Sequence, residues 1–248
     1  MSDPQIEIYT DKKFAAAVAD EIVAAITDVL HDKDTCALCL SGGTTPAKVY
    51  RLLTLSPRVG EIEWPKVKLF FGDERWVPKD SAKSNYRMVH ETLLSRLPQD
   101  SLPDVFDLNT ETSSALESAK MYQESLRLAG YDFSEGSSFD IVLLGLGSDG
   151  HFASIFPGDY EKACTSTEHV IATKSPSDDT DRMSLAPSAL FSAKKLFFLV
   201  AGEGKAEVVS SLFKSLSSRG EYPASHAFDF CDKVLWMFDS SAAVLLER

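Results

Sequence analysis

Residues 139–151 read FDIVLLGLGSDGH, a short apolar run that leads into a glycine-rich turn carrying a histidine. The run 139–144 is typical of a strand buried in the middle of a parallel sheet, where both faces are covered. Loops at the carboxyl ends of such strands are where α/β proteins bind ligands and perform chemistry. The stretch therefore predicts an α/β fold with His151 at the carboxyl end of a central strand.

Composition narrows the class of protein. With 248 residues, of which 44% are hydrophobic, the chain is long enough for one large α/β domain or two small ones. A formal net charge of −12 argues against binding nucleic acid or anionic lipid through a general positive field. We therefore expect any anionic ligand to be held locally, by a few Arg and Lys side chains or by backbone N–H groups.

The sequence shows no sign of export or of a membrane anchor. No apolar run approaches the roughly 18 residues that a membrane span needs, and the N-terminus lacks the segments of a signal peptide. We expect a cytoplasmic protein with reduced thiols. Cys36 and Cys39 have the spacing of a redox or zinc motif, but residues three apart in a strand point to opposite faces. No metal site and no cofactor are predicted.

Strands alternate with amphipathic helices along the chain, and we find no linker or internal repeat. This alternation predicts a single domain over 1–248, with a mostly parallel, Rossmann-like sheet and helices on both faces. Strands are predicted at 35–40, 67–71, 139–144, 169–173, 195–200 and 233–238. Helices are predicted from Asp11 to about Asp32, from Pro46, over 85–96 with Asn85 as N-cap, over 113–129, over 203–217 and as a short closing helix. Residues 175–181 are predicted to form a surface loop.

Residues 40–46 read LSGGTTP, a strand end followed by a glycine pair, two hydroxyls and a proline. Gly42 and Gly43 let backbone N–H groups approach a ligand, and Thr44 adds a hydroxyl donor. The following helix start supplies unpaired N–H groups and the positive end of the helix dipole. This pattern predicts an anion cradle, although an ordinary strand-to-helix turn is the alternative. The Gly-Lys-Thr ending of a Walker nucleotide loop is absent.

Two further strand ends carry candidate ligand-binding residues. In FGDERWVP, 71–78, Arg75 is a candidate clamp for phosphate and Asp73 is a candidate partner for a substrate hydroxyl, unless the charges only form a solvated loop. Lys205 follows a strand at the start of a helix, where a cation is disfavoured unless an anion binds nearby. With Arg182, these residues give three positive charges able to converge on one phosphate.

Two common motifs are rejected. Gly145, Gly147 and Gly150 match the dinucleotide-binding pattern, but Pro157 follows too soon for the long helix that such a site requires. The nucleophile elbow Gly-x-Ser-x-Gly is absent, which argues against a covalent serine esterase.

Taken together, the motifs resemble those of the 6-phosphogluconolactonases, within a fold group that also contains the glucosamine-6-phosphate deaminases. The resemblance spans nearly the whole chain and is carried by LSGGTTP (40–46), DERWVP (73–78) with Ser84-Asn85, and GLGSDGHFASIFPG (145–158). The stretches GEGKA (202–206), PAS (223–225) and WMFD (236–239) agree with it. Two positions depart from the family pattern: Thr44 replaces a frequent serine, and Phe152 replaces a usual threonine. Phe152 cannot make any hydrogen bond that the threonine hydroxyl would make, but the histidine is kept.

The resemblance implies hydrolysis of 6-phospho-D-glucono-1,5-lactone to 6-phospho-D-gluconate, in the oxidative pentose phosphate pathway, without a metal. His151 would take a proton from the attacking water, and Asp149 would orient its imidazole. The phosphate would be bound by residues from several motifs: Gly42, Gly43, Thr44, Arg75, Arg182 and Lys205. The expected partner is this small sugar-phosphate lactone, with no nucleic acid or membrane, and the chain is expected to be a monomer or a weak homodimer.

Two alternatives stay open. A glucosamine-6-phosphate deaminase would share the fold, but the resemblance associates that branch with Asp-Glu-Tyr where this chain has Asp73-Glu74-Arg75. A non-catalytic sugar-phosphate sensor would bind ligand without turnover. The sequence shows no segment for a DNA-reading helix pair, which counts against a sensor that acts on DNA.

Overall fold

Two β-sheets organise the protein in the computed structural model, which describes residues 3–214 and 222–246. The strands are β1 (Gln5–Tyr9), β2 (Cys36–Leu40), β3 (Val67–Phe71), β4 (Asp73–Arg75), β5 (Asp104–Phe106), β6 (Ile141–Leu144), β7 (Val170–Lys174), β8 (Asp181–Leu185), β9 (Lys195–Val200) and β10 (Val234–Asp239). The larger sheet has seven strands in the order β1-β10-β9-β6-β2-β3-β5, and every neighbouring pair is parallel. The predicted fold class, a mostly parallel Rossmann-like sheet, is confirmed.

The order of the strands reverses between β2 and β6. From β2 the chain adds β3 and β5 on one side, whereas β6, β9 and β10 extend the sheet on the other side. Ligands of open α/β sheets bind at such a switch point, beyond the carboxyl ends of the strands. The loops after β2 and β6 carry the glycine motifs at 42–43 and 145–151, so the topology brings the two motifs to the same crevice.

The smaller sheet was not predicted from the sequence. Its three strands lie in the order β4-β8-β7, and both pairs are antiparallel. It includes the predicted strand 169–173, observed as β7, and two strands rich in charged residues, β4 and β8. The predicted surface loop at 175–181 is therefore the hairpin between β7 and β8, and Asp181 belongs to β8.

Helices cover the parallel sheet. The α-helices are α1 (Asp11–Asp32), α2 (Thr44–Leu53), α3 (Arg58–Glu61), α4 (Asn85–Thr92), α5 (Ala115–Leu128), α6 (Tyr160–Cys164), α7 (Pro187–Leu190) and α8 (Ala206–Lys214). Short 3₁₀ helices lie at Trp64–Lys66, Leu94–Arg96, Phe133–Glu135, Glu203–Lys205 and Pro223–Phe230. Within the described residues, no helix is both long and apolar enough to cross a membrane.

Four helix predictions need correction. The helix predicted from Pro46 begins at Thr44, because Gly43 turns the chain into it with a φ of 104°. Ser84, not Asn85, is the N-cap of α4, since its hydroxyl accepts the N–H of Arg87. That helix ends at Thr92 and is followed by a 3₁₀ turn, Leu94–Arg96.

The other corrections concern the C-terminal part of the chain. The helix predicted over 203–217 starts with a 3₁₀ turn, and its last positions, 215–217, lie outside the described residues. No closing helix is observed in the described residues; 240–245 form turns instead. There the carboxylates of Asp11 and Asp239 accept N–H groups of Ser241 and Ala242, and such side-chain acceptors compete with helical hydrogen bonds.

The buried apolar residues form a core around the parallel sheet. The β6 segment IVLL is buried at all four positions, as its uninterrupted apolar run predicts. Trp236 in β10 stacks on Phe198 in β9 with ring centroids 4.0 Å apart. Phe152, which follows the motif histidine, is fully buried, and its ring centroid lies 5.2 Å from that of Phe191. Phe152 is therefore a core residue that anchors the end of the glycine-rich turn.

A buried carboxylate lies at the amino ends of the central strands, opposite the carboxyl ends that carry the glycine motifs. Asp140 precedes β6, is almost fully buried, and accepts the N–H of Ala37 at 3.0 Å. It forms ion pairs with Lys33 and with Lys194, the latter at 3.2 Å. Burial alone would raise the pKa of Asp140, but the hydrogen bonds from Ala37 and from the two lysines hold it below its usual range.

We expect Asp140→Asn to destabilise the fold by about 1–3 kcal/mol at neutral pH, because it removes a buried, hydrogen-bonded charge that faces two lysines. Because the pKa of Asp140 is lowered in the folded state, its stabilisation is present above its unfolded pKa of about 3.9 and is lost as pH falls through the lower folded pKa. The difference between the two proteins should therefore shrink in acid.

Urea unfolding near neutral pH and near pH 3 measures this difference. The matched control is Asp28→Asn, which removes an exposed carboxylate that pairs with Lys195 at 3.2 Å at the same end of the strands. Exposed pairs of this kind contribute about 0–1 kcal/mol, so the control should unfold close to the wild type. An Asp140→Asn difference that stayed constant down to pH 3 would contradict the assigned linkage.

Candidate active site

A pocket of about 270 Å³ opens at the switch point between β2 and β6. The predicted binding residues and the histidine line it together: Gly42, Gly43, Thr44, Asp73, Arg75, His151, Arg182 and Lys205. Asp149 is the one predicted site residue that does not line the wall, and it lies directly behind His151. Residues from the ends of β2, β4, β6, β8 and β9 thus converge on one cavity.

The first wall of the pocket is the turn between β2 and α2. The first N–H groups of a helix have no partner within the helix, and those of α2 begin at Thr44, on the pocket wall. No side chain caps this helix end, so its N–H groups and its positive dipole end are available to an anion. An added Cβ at Gly42 would overlap the Asn85 side chain, which explains why only glycine fits there.

The second wall carries an acid–base pair. The imidazole Nδ1 of His151 lies 2.6 Å from Oδ1 of Asp149, and the imidazole is about one-third exposed. We assign the proton to Nδ1, which donates a hydrogen bond to this carboxylate, so Nε2 is the ring nitrogen left to accept a proton. The ring of Phe156 packs 4.9 Å from the imidazole and limits its movement. The pair therefore has the arrangement of an oriented general base.

The glycines of the second wall have different tasks. An added Cβ on Gly147 would fall 2.5 Å from Oδ1 of Asp149 and still closer to Nδ1 of His151. The N–H groups of Gly145, Gly147 and Gly150 are already paired, with Ser41 Oγ, the His151 carbonyl and the Gly147 carbonyl. These three amides are therefore not free donors for a developing oxyanion.

We expect Gly147→Ala to lower kcat/KM about tenfold or more with little loss of stability, because its Cβ would displace the imidazole and the carboxylate from each other. Gly204→Ala is the control, since a Cβ at Gly204 meets nothing within 4 Å. Steady-state kinetics and melting temperatures of both variants measure the two effects. Equal activity of the two variants would show that the space at Gly147 does not hold the pair in place.

The third wall places two arginines side by side. Arg75 in β4 and Arg182 in β8 are directly opposite each other in the antiparallel ladder, so their side chains project from the same face. Both Nε atoms are buried without a hydrogen-bond partner. Like charges opposite each other destabilise a sheet, and unpaired buried donors add to this cost. A dianion bound between the two guanidinium groups would relieve both effects.

Lys205 adds a third cation from the turn between β9 and α8. It ends the 3₁₀ turn Glu203–Lys205 and is half-buried on the pocket wall. Burial lowers the pKa of Lys205, and the negative charge of Asp149 opposes that shift. The carboxylate of Asp239 fixes the turn by accepting the N–H of Gly202 at 2.9 Å. Arg75, Arg182 and Lys205, the three predicted cations, thus line the same pocket.

A carboxylate lies on the pocket wall near these cations. Oδ2 of Asp73 accepts the hydroxyl of Ser154 at 2.6 Å, and the Asn85 amide donates to the Asp73 carbonyl at 2.9 Å and to Oδ1 at 3.3 Å. Asp73 is thus fixed by hydrogen bonds from two polar residues, and it lines the pocket.

The next residue, Glu74, points away from the pocket and into the protein. Its buried carboxylate accepts the N–H groups of Arg75, Asn85 and Tyr86 at 2.7–2.8 Å and the hydroxyl of Ser84 at 3.1 Å. Burial raises the pKa of Glu74, and these backbone donors oppose the rise. Glu74 thereby ties β4, which carries Arg75, to the first turn of α4.

The roles of Ser154 and Glu74 were not predicted from the sequence, and Asn85 was predicted only as the N-cap, a position that Ser84 occupies. Glu74 and Ser154 lie inside quoted motifs, and the polar pair Ser84-Asn85 at the start of a helix is a recognisable signal. The hydrogen bonds that join them to Asp73 and Arg75 bring together segments up to 81 residues apart, which no local pattern indicates. Among the described residues, no three His, Cys, Asp or Glu side chains group as candidate metal ligands.

Comparisons with known proteins find relatives along nearly the whole chain. The family model described as glucosamine-6-phosphate isomerases/6-phosphogluconolactonase matches residues 9–236. The chain is 31% identical to a 6-phosphogluconolactonase of Streptomyces coelicolor, over 100% of this chain and 97% of that protein. A 6-phosphogluconolactonase structure from Trypanosoma cruzi superposes with a TM-score of 0.83 at 31% identity, covering 100% and 99% of the chains. A monomeric glucosamine-6-phosphate deaminase superposes at 0.77 with 20% identity, over 97% and 99% of the chains, which shows a common fold alone.

Proposed function

Because the chain belongs to the glucosamine-6-phosphate isomerase/6-phosphogluconolactonase family, we propose that it hydrolyses 6-phospho-D-glucono-1,5-lactone to 6-phospho-D-gluconate. The observation that carries the proposal is the placement of an oriented histidine and a three-cation cluster in one pocket. The first is suited to activating water, and the second to holding a phosphate. A sugar-phosphate lactone presents both groups in one small molecule.

In the proposed complex, the phosphate lies between Arg75, Arg182 and Lys205, with the N–H groups at the start of α2 as further donors. Asp73 accepts a hydrogen bond from a ring hydroxyl. Fixing the phosphate end restricts where the lactone carbonyl can lie, and this positioning turns remote binding energy into rate.

The proposed chemistry needs neither a metal nor a cofactor. Nε2 of His151 takes a proton from water as the water oxygen bonds to the lactone carbonyl carbon. Asp149 stabilises the imidazolium that forms. When the tetrahedral intermediate collapses, the bond to the ring oxygen breaks and the imidazolium returns its proton to that oxygen. The new carboxylic acid then ionises and releases one proton to solution.

The deaminase remains the second candidate, because the matching family model covers both activities. Two observations favour the lactonase: an arginine at position 75, facing the pocket beside Arg182, and identity above 30% to proteins named 6-phosphogluconolactonase. A non-catalytic sensor would bind 6-phosphogluconate without turnover.

The test is acid release in a pH-stat with freshly prepared lactone, with and without the protein, because the lactone also opens spontaneously. We expect a rate well above the background that saturates with substrate. Ammonia release from glucosamine 6-phosphate, assayed in parallel, distinguishes the deaminase. Acid release no faster than background, with the lactone verified as intact, would contradict the proposal.

A further inference from the structure

A second pair of charged residues contacts the two pocket arginines from outside the pocket lining. Lys83 belongs to the loop before α4, and Asp178 belongs to the hairpin loop between β7 and β8. The Lys83 ammonium lies 3.3 Å from Oδ2 of Asp178. Neither residue lines the pocket. We call this pair the Lys83–Asp178 bridge.

The bridge contacts Arg182 directly. Oδ1 of Asp178 accepts a hydrogen bond from Nη2 of Arg182 at 3.3 Å, and of these two residues only Arg182 lines the pocket. The Arg182 side chain is only 12% exposed, and its Nε has no partner. One nitrogen of this pocket-lining guanidinium is therefore bound by a carboxylate that lies outside the pocket lining.

The bridge also reaches Arg75, through a backbone atom. Nη1 of Arg75 donates to the Lys83 carbonyl, so the residue whose side chain binds Asp178 also holds the second guanidinium. Arg75 and Arg182 repel each other across the ladder, and without restraint their side chains would turn apart. One carboxylate and one carbonyl thus anchor both arginines from outside the pocket.

Asp178 is suited to this role by its own surroundings. Hydrogen bonds from Ser175 and Thr180, together with the charge of Arg182, hold the pKa of Asp178 well below its usual range. The carboxylate is therefore ionised at physiological pH. The hairpin loop that carries it is short and is closed by hydrogen bonds between Ser175 and residues 179 and 180.

We propose that Asp178 is a positioning residue for the anion site, which holds Arg182 directly and Arg75 through Lys83 so that both guanidinium groups converge on one phosphate. This role rests on the proposed function for the identity of the substrate, but not for the presence of a phosphate site. Charge-assisted hydrogen bonds have directional geometry. An arginine that Asp178 already holds in one conformation therefore loses less conformational entropy when it binds a ligand.

The test compares Asp178→Asn with Asp179→Asn. The neighbouring Asp179 is 89% exposed, pairs only with Lys174 among the described residues, and has a φ of 55°, a conformation that asparagine tolerates well. Both variants remove one negative charge from the same loop. Only Asp178→Asn breaks the contact with the arginine.

We expect Asp178→Asn to weaken binding of 6-phosphogluconate about tenfold, the scale of one lost hydrogen bond to a charged group, while kcat changes less than twofold. Asp179→Asn should bind like the wild type. Calorimetric titration gives the affinities, and the KM-against-kcat split gives the same contrast in turnover. Lys83→Met should weaken binding in the same direction, and the double variant with Asp178→Asn should be non-additive.

Each other result would overturn the proposal. Tighter binding by Asp178→Asn would mean that the carboxylate competes with the ligand for Arg182. Equal affinities of the two asparagine variants would mean that the contact is only structural, and additive effects with Lys83→Met would separate the two residues. Inorganic phosphate is the second probe: wild-type protein that does not bind it overturns the positioning role, whereas phosphate binding without lactone hydrolysis overturns the proposed function alone.

Discussion

His151→Ala is expected to lower kcat for lactone hydrolysis about 1,000-fold, within the range that a positioned general base contributes. The variant loses the imidazole Nε2 that would take the proton from water, but it keeps the arginines, Lys205 and the first turn of α2. Binding of 6-phosphogluconate should therefore change little. The side chain is about one-third exposed, so its truncation should cost little stability.

The measurement is the initial rate of acid release, corrected for spontaneous opening, together with calorimetric titration of 6-phosphogluconate. Asp149→Asn is the companion variant, since the amide keeps the shape but no longer fixes the proton on Nδ1. It should fall between wild type and His151→Ala. If His151→Ala lost ligand affinity and kept its turnover, the roles assigned to the two walls of the pocket would be reversed.

Arg75→Ala is expected to weaken binding of 6-phosphogluconate about 100-fold, as truncation of one partner in a buried ion pair commonly does. The variant removes a guanidinium that lies beside Arg182 on the pocket wall and has a buried, unpaired Nε. A smaller fall in kcat should accompany the loss, because a less firmly held phosphate leaves the carbonyl less well placed for attack.

Arg127→Ala is the matched control, since Arg127 forms an exposed pair with Glu124 on α5, outside the pocket. Pairs of this kind contribute about 0–1 kcal/mol, so this variant should resemble the wild type in affinity and stability. Gluconate, which lacks the phosphate, supplies a second readout: its weak binding should be the same in Arg75→Ala as in the wild type. A loss that was equal for both ligands would contradict the assignment of Arg75 to the phosphate.

The central sheet could be predicted because its signal is local and strong. β3 and β9 were predicted at their observed bounds, and α1 over Asp11–Asp32, because apolar runs and four-residue spacings mark them in the sequence. The location of the site followed from the same logic. Glycine-rich turns after buried strands meet at one edge of a parallel sheet, whatever the order of the strands.

The smaller sheet could not be predicted in this way. β4 has only three residues, all of them charged, and β8 begins with Asp181-Arg182, so neither shows the alternation of a half-buried strand. Their pairing is set by contacts between segments about 110 residues apart in the chain. The cross-strand position of Arg75 and Arg182 depends on this pairing, and so it emerged only from the structure.

Convergence of the three cations was predicted from their placement at strand ends. The residues that hold the two arginines in place were not predicted. Asp178 and Lys83 are exposed residues in loops, and a charge in a loop usually indicates no more than solvation. Their role depends on distances between two loops that no spacing rule relates. For the same reason, the hydrogen bonds of Ser154 and Asn85 with Asp73 could not be inferred.

The division of the pocket between two sheets has a consequence for how such a protein can diversify. The parallel sheet carries the histidine pair on the turn after β6, whereas the antiparallel sheet carries the two arginines on strands that only a few residues hold in register. Substitutions of Arg75 or Arg182 can therefore alter which ligand is retained without changing the His151–Asp149 pair, and substitutions in that pair can alter the chemistry without removing the arginines. Natural selection, or a directed library confined to β4, β8 and their hairpin, can explore new sugar phosphates while an ancestral reaction is preserved.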